Sequence, residues 1–453
     1  MSAFGGKADI GPPFKQQILT DTMLPSARPR GGAKPARLEP RVRSRRTGVR
    51  GRGVARSGWT TTKASMTESR TDYLSASFLE RVRRSYKLAL TTVSGRYGRI
   101  WETIDQRRAP VRAALLAGTD VELRNIFSNP VSSDLFLGVD PLCHSILGQL
   151  PPIGQPSEQT IPSLYMLAGG RLRSFDEEAV ADHFRIAANK KLSLLARECG
   201  VQPSTDDENT LGSLDMLLGQ RIMFPNFPAE LGLVTSRGTA SYRAILALYN
   251  TWRALTHLAN MDDRSIIEIG PGAGRTAYYA YSAGITDYTT VDLPIGIVVQ
   301  ACFLGKALGP DKIWLPADDP RLASGRIRLL EQLPDRKYGL ALNTDSLTEM
   351  TSTIAQQYLR WISQHCRLFL SINLDGNYFT VDQLATKWFK LANSNVCPVD
   401  DGYAEQVFKP RFVPLPMLAW HRLGWHRTKI FVRRAASSLQ RRIGTRIHRY
   451  WQS

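Results

Sequence analysis

Residues 265 to 274 read S-I-I-E-I-G-P-G-A-G and residues 288 to 294 read Y-T-T-V-D-L-P, and together they restrict the fold more than any other part of the chain. Ile266, Ile267 and Ile269 make an unbroken apolar run, the mark of a strand buried on both faces. The run passes directly into Gly270, Gly272 and Gly274, then into a helical stretch from 275 to 283 and a second short strand that ends in Asp292. This is one β-α-β unit, which places its two strands parallel in one sheet. The glycines let the backbone turn sharply and let a ligand lie against it. A carboxylate at the second strand's tip can accept hydrogen bonds from both hydroxyls of a ribose, so a nucleoside cofactor is expected.

The rest of the C-terminal half extends the pattern. Pro294 suits a helix start, and 295 to 308 is that helix. Strands are expected at 312 to 315, 326 to 330, 338 to 342 and 367 to 372, with helices at 347 to 365 and 381 to 391. Segments 406 to 412 and 427 to 432 are expected to close the sheet as an antiparallel pair. Strands alternating with helices predict an α/β chain with a Rossmann-like, doubly wound, mostly parallel sheet. Upstream, Phe78, Val82, Tyr86 and Leu90 recur every four residues, and 240 to 260 carries Leu246, Tyr249, Trp252, Leu255 and Leu258 near one face. A largely helical N-terminal region over 66 to 260 therefore precedes a cofactor domain over 261 to 432.

A dinucleotide loop would read G-x-G-x-x-G, yet Arg275 stands where its third glycine belongs. The spacing here is G-x-G-x-G, preceded by Glu268 within the strand. It resembles motif I of the class I S-adenosylmethionine-dependent methyltransferases. That cofactor has no diphosphate, so no helix N-terminus need receive one. The resemblance implies S-adenosyl-L-methionine held by Glu268, Gly270, Gly272, Gly274 and Asp292. Asp292 can also be read as a helix N-cap. The adenine contact falls to Asp318, Asp319 or Glu331, and Arg275 anchors either Glu268 or a substrate carboxylate.

In such a sheet ligands bind beyond the carboxyl ends of the strands. The segment after the strand at 338 reads L-N-T-D-S-L-T-E-M. Here the chain resembles a bacterial family of sugar O-methyltransferases, through E-I-G-x-G-x-G-R at 268 to 275, Y-x-x-x-D-L-P at 288 to 294, N-x-D-S-L-x-E-M at 343 to 350, and S-I-N at 371 to 373. The resemblance spans about 240 to 380 and departs at Leu374-Asp375, where the family carries His-Glu. It implies methyl transfer to a sugar or glycan-type acceptor, under cover of the N-terminal region. Methyl transfer to a hydroxyl asks for in-line positioning and a base. Asp345 and Glu349 are the carboxylates in the loop and the catalytic candidates, with Asn343 and Asn373 as acceptor-binding candidates. Each has a plainer alternative: Ser346 to Glu349 fits an S-x-x-E capping box, Asp345 can serve a local turn, and Asn343 can satisfy backbone. An acceptor other than a sugar, or a silent interaction protein on the same fold, are the competing readings.

The net charge of +19 sits at the ends. Residues 1 to 65 carry 14 Lys and Arg against 3 acids, and 406 to 453 carry 11 with no acid, leaving 34 basic and 37 acidic residues between them. A near-neutral body argues against a nucleic-acid cleft. Residues 1 to 65 read as a basic, disordered leader, and Met66 opens a segment with the character of an ordinary start. Residues 433 to 453 read as a basic amphipathic helix, suited to packing on the domain or to peripheral contact with an anionic membrane. The five cysteines, odd in number and without C-x-x-C spacing, suggest a reducing, cytoplasmic setting. His144, His183, His257 and His365 lack metal-ligand spacing, so no metal is expected.

Overall fold

A computed structural model describes residues 72–92, 99–139, 177–228, 230–375 and 379–411. The basic leader, the expected strand at 427 to 432 and the C-terminal helix at 433 to 453 lie outside these residues.

The helical region begins with α1 (Ala76–Thr92), α2 (Arg99–Arg107), α3 (Ala109–Ala117), α4 (Asp120–Ser128), α5 (Glu177–Glu198) and α6 (Asp207–Leu218). A small antiparallel hairpin, β1 (Leu233–Thr235) with β2 (Gly238–Ala240), leads into α7 (Tyr242–Leu258), which Ser241 caps through its side chain. The α/β part follows as β3 (Ile266–Ile269), α8 (Arg275–Ser282), β4 (Tyr288–Val291), α9 (Pro294–Leu308), β5 (Ile313–Trp314), β6 (Ile327–Leu330) and β7 (Tyr338–Thr344). It ends with α10 (Ser346–Glu349), α11 (Ser352–His365), β8 (Cys366–Leu374), α12 (Val381–Ala385), β9 (Phe389–Val396) and β10 (Tyr403–Pro410).

The eight-stranded sheet runs β5-β6-β4-β3-β7-β8-β10-β9. It is parallel from β5 through β8, and β10 lies antiparallel to both neighbours. The Rossmann-like, doubly wound reading therefore holds. The chain builds outward from β3 through β4 to β6, then returns to β7 on the other side of β3. That reversal is the topological switch point, and it gathers the loops after β3, β4 and β7 into one crevice.

Period-two alternation sorts each strand between two cores. Ile266 faces a cluster with α7, α8 and α9, while Ile267 and Ile269 face a second cluster with α11 and α12. The N-terminal helices share the first cluster. Phe78, Leu79, Val82, Tyr86 and Ala89 form the buried stripe of α1, and Gly305 on α9 admits Phe78, since a Cβ there would stand 2.9 Å from its ring. Arg81 fastens the contact by pairing with Asp318 at 2.7 Å and donating to the carbonyls of Pro310 and Ile313. Phe78→Ala should therefore cost about 3–5 kcal/mol of stability, the usual price of an aromatic cavity, read from the urea midpoint.

Three expectations need correction. The helix expected at 347 to 365 is two helices, because Met350 is extended and Thr351 starts α11 as a fresh N-cap. The helix expected at 381 to 391 stops at Ala385, and Phe389 opens β9. The strand expected at 406 to 412 is β10, antiparallel as expected, but it pairs with β8 and with β9, a strand that was not expected; 427 to 432 lies outside the described residues.

Candidate active site

The three loops that meet at the switch point line one cavity, joined by a wall from the N-terminal half. The loop after β3 supplies Gly270 and Gly272, both in the left-handed region at φ 64° and 59°, and Gly274 caps α8 at φ 84°. A side chain at 270 is also barred by contact, since a Cβ there would lie 2.2 Å from the Ser346 hydroxyl. Ser346 Oγ in turn donates to the Ile269 carbonyl at 2.9 Å, so the glycine loop and the β7 loop are pressed together.

Glu268 lines the cavity from within β3, and the Tyr288 hydroxyl donates to it at 2.7 Å. Asp292, at the tip of β4, accepts from the Leu293 backbone N–H at 2.7 Å and from the Gln300 amide at 2.9 Å. It is not an N-cap, since Leu293 holds that position of α9. Gly296 makes room for it, because a Cβ there would sit 2.4 Å from the Asp292 carboxyl carbon.

Burial pushes the Glu268 carboxyl up to about 7 and the Asp292 carboxyl up to about 7, against hydrogen bonds that favour their ionised forms. The sign of the consequence is fixed by linkage. Between the ordinary carboxylate range and about 7, the folded chain keeps a proton that the unfolded chain has lost, so stability falls as pH rises through that window. Glu268→Gln cannot ionise and still accepts from Tyr288. Its stability relative to the parent should grow between pH 5 and pH 7 by on the order of 2 kcal/mol, measured by urea unfolding at each pH. A pH-independent difference would place the proton elsewhere.

The β7 loop brings Asp345 and Glu349 to the same cavity. Asp345 is held at φ 64° and ψ −47°, close to the rare γ-turn geometry that costs a non-glycine residue about 1–3 kcal/mol. Arg243 of α7 donates to its carboxylate at 3.1 Å. Glu349 accepts the indole N–H of Trp101, from α2, at 3.1 Å. Burial raises the Glu349 carboxyl, with Asp345 adding to the effect. The capping-box alternative is not realised: Ser346 Oγ is engaged with Ile269 and Asn343, and Glu349 with Trp101.

Asn343 and Asn373 do not reach the cavity wall. They are 0% and 4% exposed and form a chain beneath it: Asn373 donates to Asn343 at 2.9 Å, and Asn343 donates to the Ile269 carbonyl at 2.9 Å. Their amides lock β7 to β3 and β8. Arg275 lines the cavity, and its guanidinium pairs with Glu230 at 2.8 Å. Of the three adenine candidates, Asp318 is engaged by Arg81 and Asp319 by Arg321. Glu331 directly follows β6, the strand beside β4, and takes the Thr92 hydroxyl at 3.1 Å.

Three wall residues were not legible as site residues in the sequence: Trp101, Arg243 and Asn250. Arg243, Leu246, Ala247 and Asn250 follow i, i+3, i+4, i+7 spacing, so one face of α7 looks into the cavity. That helix is fixed from behind by Tyr249 and Arg253, both bonded to Glu405 of β10. Among the described residues Arg243 Nε and Asn250 Oδ1 are buried without a hydrogen-bond partner, the state of a wall built to meet a polar ligand.

No protein-family model and no curated protein matches the chain. Solved structures do. Magnesium protoporphyrin IX methyltransferase from Synechocystis, with S-adenosylmethionine bound, is 11% identical over 37% of this chain and 78% of its own, with a TM-score of 0.28. The CcbJ methyltransferase from Streptomyces caelestis is 12% identical over 36% and 89%, at 0.27. The glycopeptide N-methyltransferase MtfA complexed with S-adenosylmethionine is 11% identical over 36% and 87%, at 0.27. Likeness at this level carries no functional argument; the geometry of the site does.

Proposed function

We propose that this protein transfers a methyl group from S-adenosyl-L-methionine to a hydroxyl of a sugar or glycan precursor. The observation that carries the cofactor is the convergence of the Gly270–Gly274 turn, Glu268 and Asp292 on one cavity at the switch point. The residues fit the group. Asp292 suits the ribose hydroxyls, the glycine turn leaves open backbone, and the orphaned Arg243 Nε and Asn250 Oδ1 suit a carboxylate and an ammonium of an amino-acid tail. When bound, the cofactor supplies an electrophilic methyl on a sulfonium.

This chain's own part is to orient the acceptor, exclude water and receive a proton. The two loop carboxylates divide that work. Asp345 is neutralised by Arg243 and holds the wall in register. Glu349 has no cation bonded to it among the described residues and is raised by burial, which makes it the stronger base of the two. The sugar rests on the sequence resemblance, and the N-terminal wall residue Trp101 supports it by placing an indole beside the base, a surface that sugar rings pack on.

The test is transfer of a labelled methyl group from S-adenosylmethionine into a mixture of glycosides and nucleotide sugars. Transfer to a hydroxyl leaves an ether, so the label should resist alkali. Label released by alkali would mean a carboxyl acceptor and would overturn the hydroxyl assignment.

A further inference from the structure

Four carboxylates, Glu268, Asp292, Asp345 and Glu349, line one cavity. Two guanidinium groups line it with them, and both are committed: Arg243 to Asp345 at 3.1 Å, Arg275 to Glu230 at 2.8 Å. Among the described residues this leaves Glu268, Asp292 and Glu349 without an ion-pair partner. Glu268 and Asp292 sit on β3 and β4, where the glycine turn and the ribose position are. Glu349 sits on the far loop, the acceptor end. It is faced by Trp101 of α2, Arg243 of α7, Asp345 on its own segment and Asp292 across the cavity, with Tyr358 of α11 completing the wall. Buried negative charge without a bonded cation is costly, and a bound cation relieves it.

We infer that Glu349, oriented by Trp101, is the counter-charge of the sulfonium and the group that distinguishes S-adenosylmethionine from S-adenosylhomocysteine. This rests on the cofactor reading above. Glu349 gives up its proton as the cation enters. It then takes the acceptor's hydroxyl proton while the O–CH3 bond forms and the S–CH3 bond breaks, the electron pair of the latter staying on sulfur. The sulfonium charge and the Glu349 charge vanish in the same step, so proton, methyl and charge balance. The site is left neutral at that end, and the neutral product loses the attraction that held its precursor.

Calorimetric titration of the full chain with S-adenosylmethionine, S-adenosylhomocysteine and sinefungin, in two buffers of different ionisation heat from pH 5.5 to 7.5, counts protons released on binding. Protons from Glu268 and Asp292 are common to all three ligands, so the difference between ligands isolates the group near the sulfonium. S-adenosylmethionine, and sinefungin with its ammonium, should release more protons than S-adenosylhomocysteine. Glu349→Gln, which keeps an oxygen for the Trp101 N–H, should abolish that difference while all three ligands still bind. Trp101→Phe should keep the difference and move it to higher pH, because the indole bond favours the ionised carboxylate. Equal proton release by the three ligands, or a difference that survives Glu349→Gln, overturns the inference while leaving the cofactor reading intact. Absence of binding by all three overturns both.

Discussion

Glu349→Gln lowers methyl transfer about 100- to 10,000-fold while S-adenosylhomocysteine affinity stays within about twofold. The size follows from what is lost: a positioned base is worth that range, and glutamine keeps the shape and the Trp101 contact without accepting a proton. S-adenosylhomocysteine lacks the sulfonium that Glu349 faces, so its affinity is spared. Asp345→Asn should cost less, because Arg243 already holds Asp345 as an ion pair and the amide can still accept from the guanidinium. Single-turnover transfer of labelled methyl, compared across the two variants at saturating cofactor, decides between them. Full activity in Glu349→Gln with loss in Asp345→Asn would move the base to Asp345.

Asp292→Ala weakens S-adenosylhomocysteine binding by about 1.5–3 kcal/mol, roughly 10- to 150-fold, as the loss of charged hydrogen bonds to a ribose requires. The fold should survive, since Asp292 is a loop carboxylate whose bonds inside the protein are to one backbone N–H and the Gln300 amide. Binding should also weaken below about pH 7 in the parent, where the raised Asp292 and Glu268 carboxyls hold protons, and this dependence should shrink in Asp292→Ala. Unchanged affinity in the variant would remove Asp292 from the ribose position.

The parts legible in the sequence were those whose signal is local. Ile266 to Gly274 and Tyr288 to Asp292 carry a strand, a turn and an acid within 27 residues, and they form the expected β-α-β unit, which the sheet order places at the switch point. The strand at 389 escaped the sequence for a physical reason. β9 reads F-K-L-A-N-S-N-V, and only Phe389 in it is buried, so an edge strand showed no alternation and its start was absorbed into the preceding helix. The broken helix at 350 was hidden by an apolar pattern that continues across the break, although T-S-T-I offered a new N-cap. Trp101 and Arg243 could not be found by spacing. They meet Glu349 and Asp345 across 248 and 102 residues of chain, and long-range pairing leaves no trace in one sequence. Asn343 and Asn373 lie near the ends of β7 and β8, beneath the cavity wall, and an amide at a strand tip serves a ligand or the neighbouring strand equally well.

A calorimetric titration of the full chain with S-adenosylhomocysteine at pH 7.5, beside a parallel titration with NAD, bears on the cavity at once. Saturable binding of S-adenosylhomocysteine to a single site, weakened in Asp292→Ala, is the outcome that the glycine turn, Glu268 and Asp292 require. Binding of NAD with no response to S-adenosylhomocysteine would contradict it.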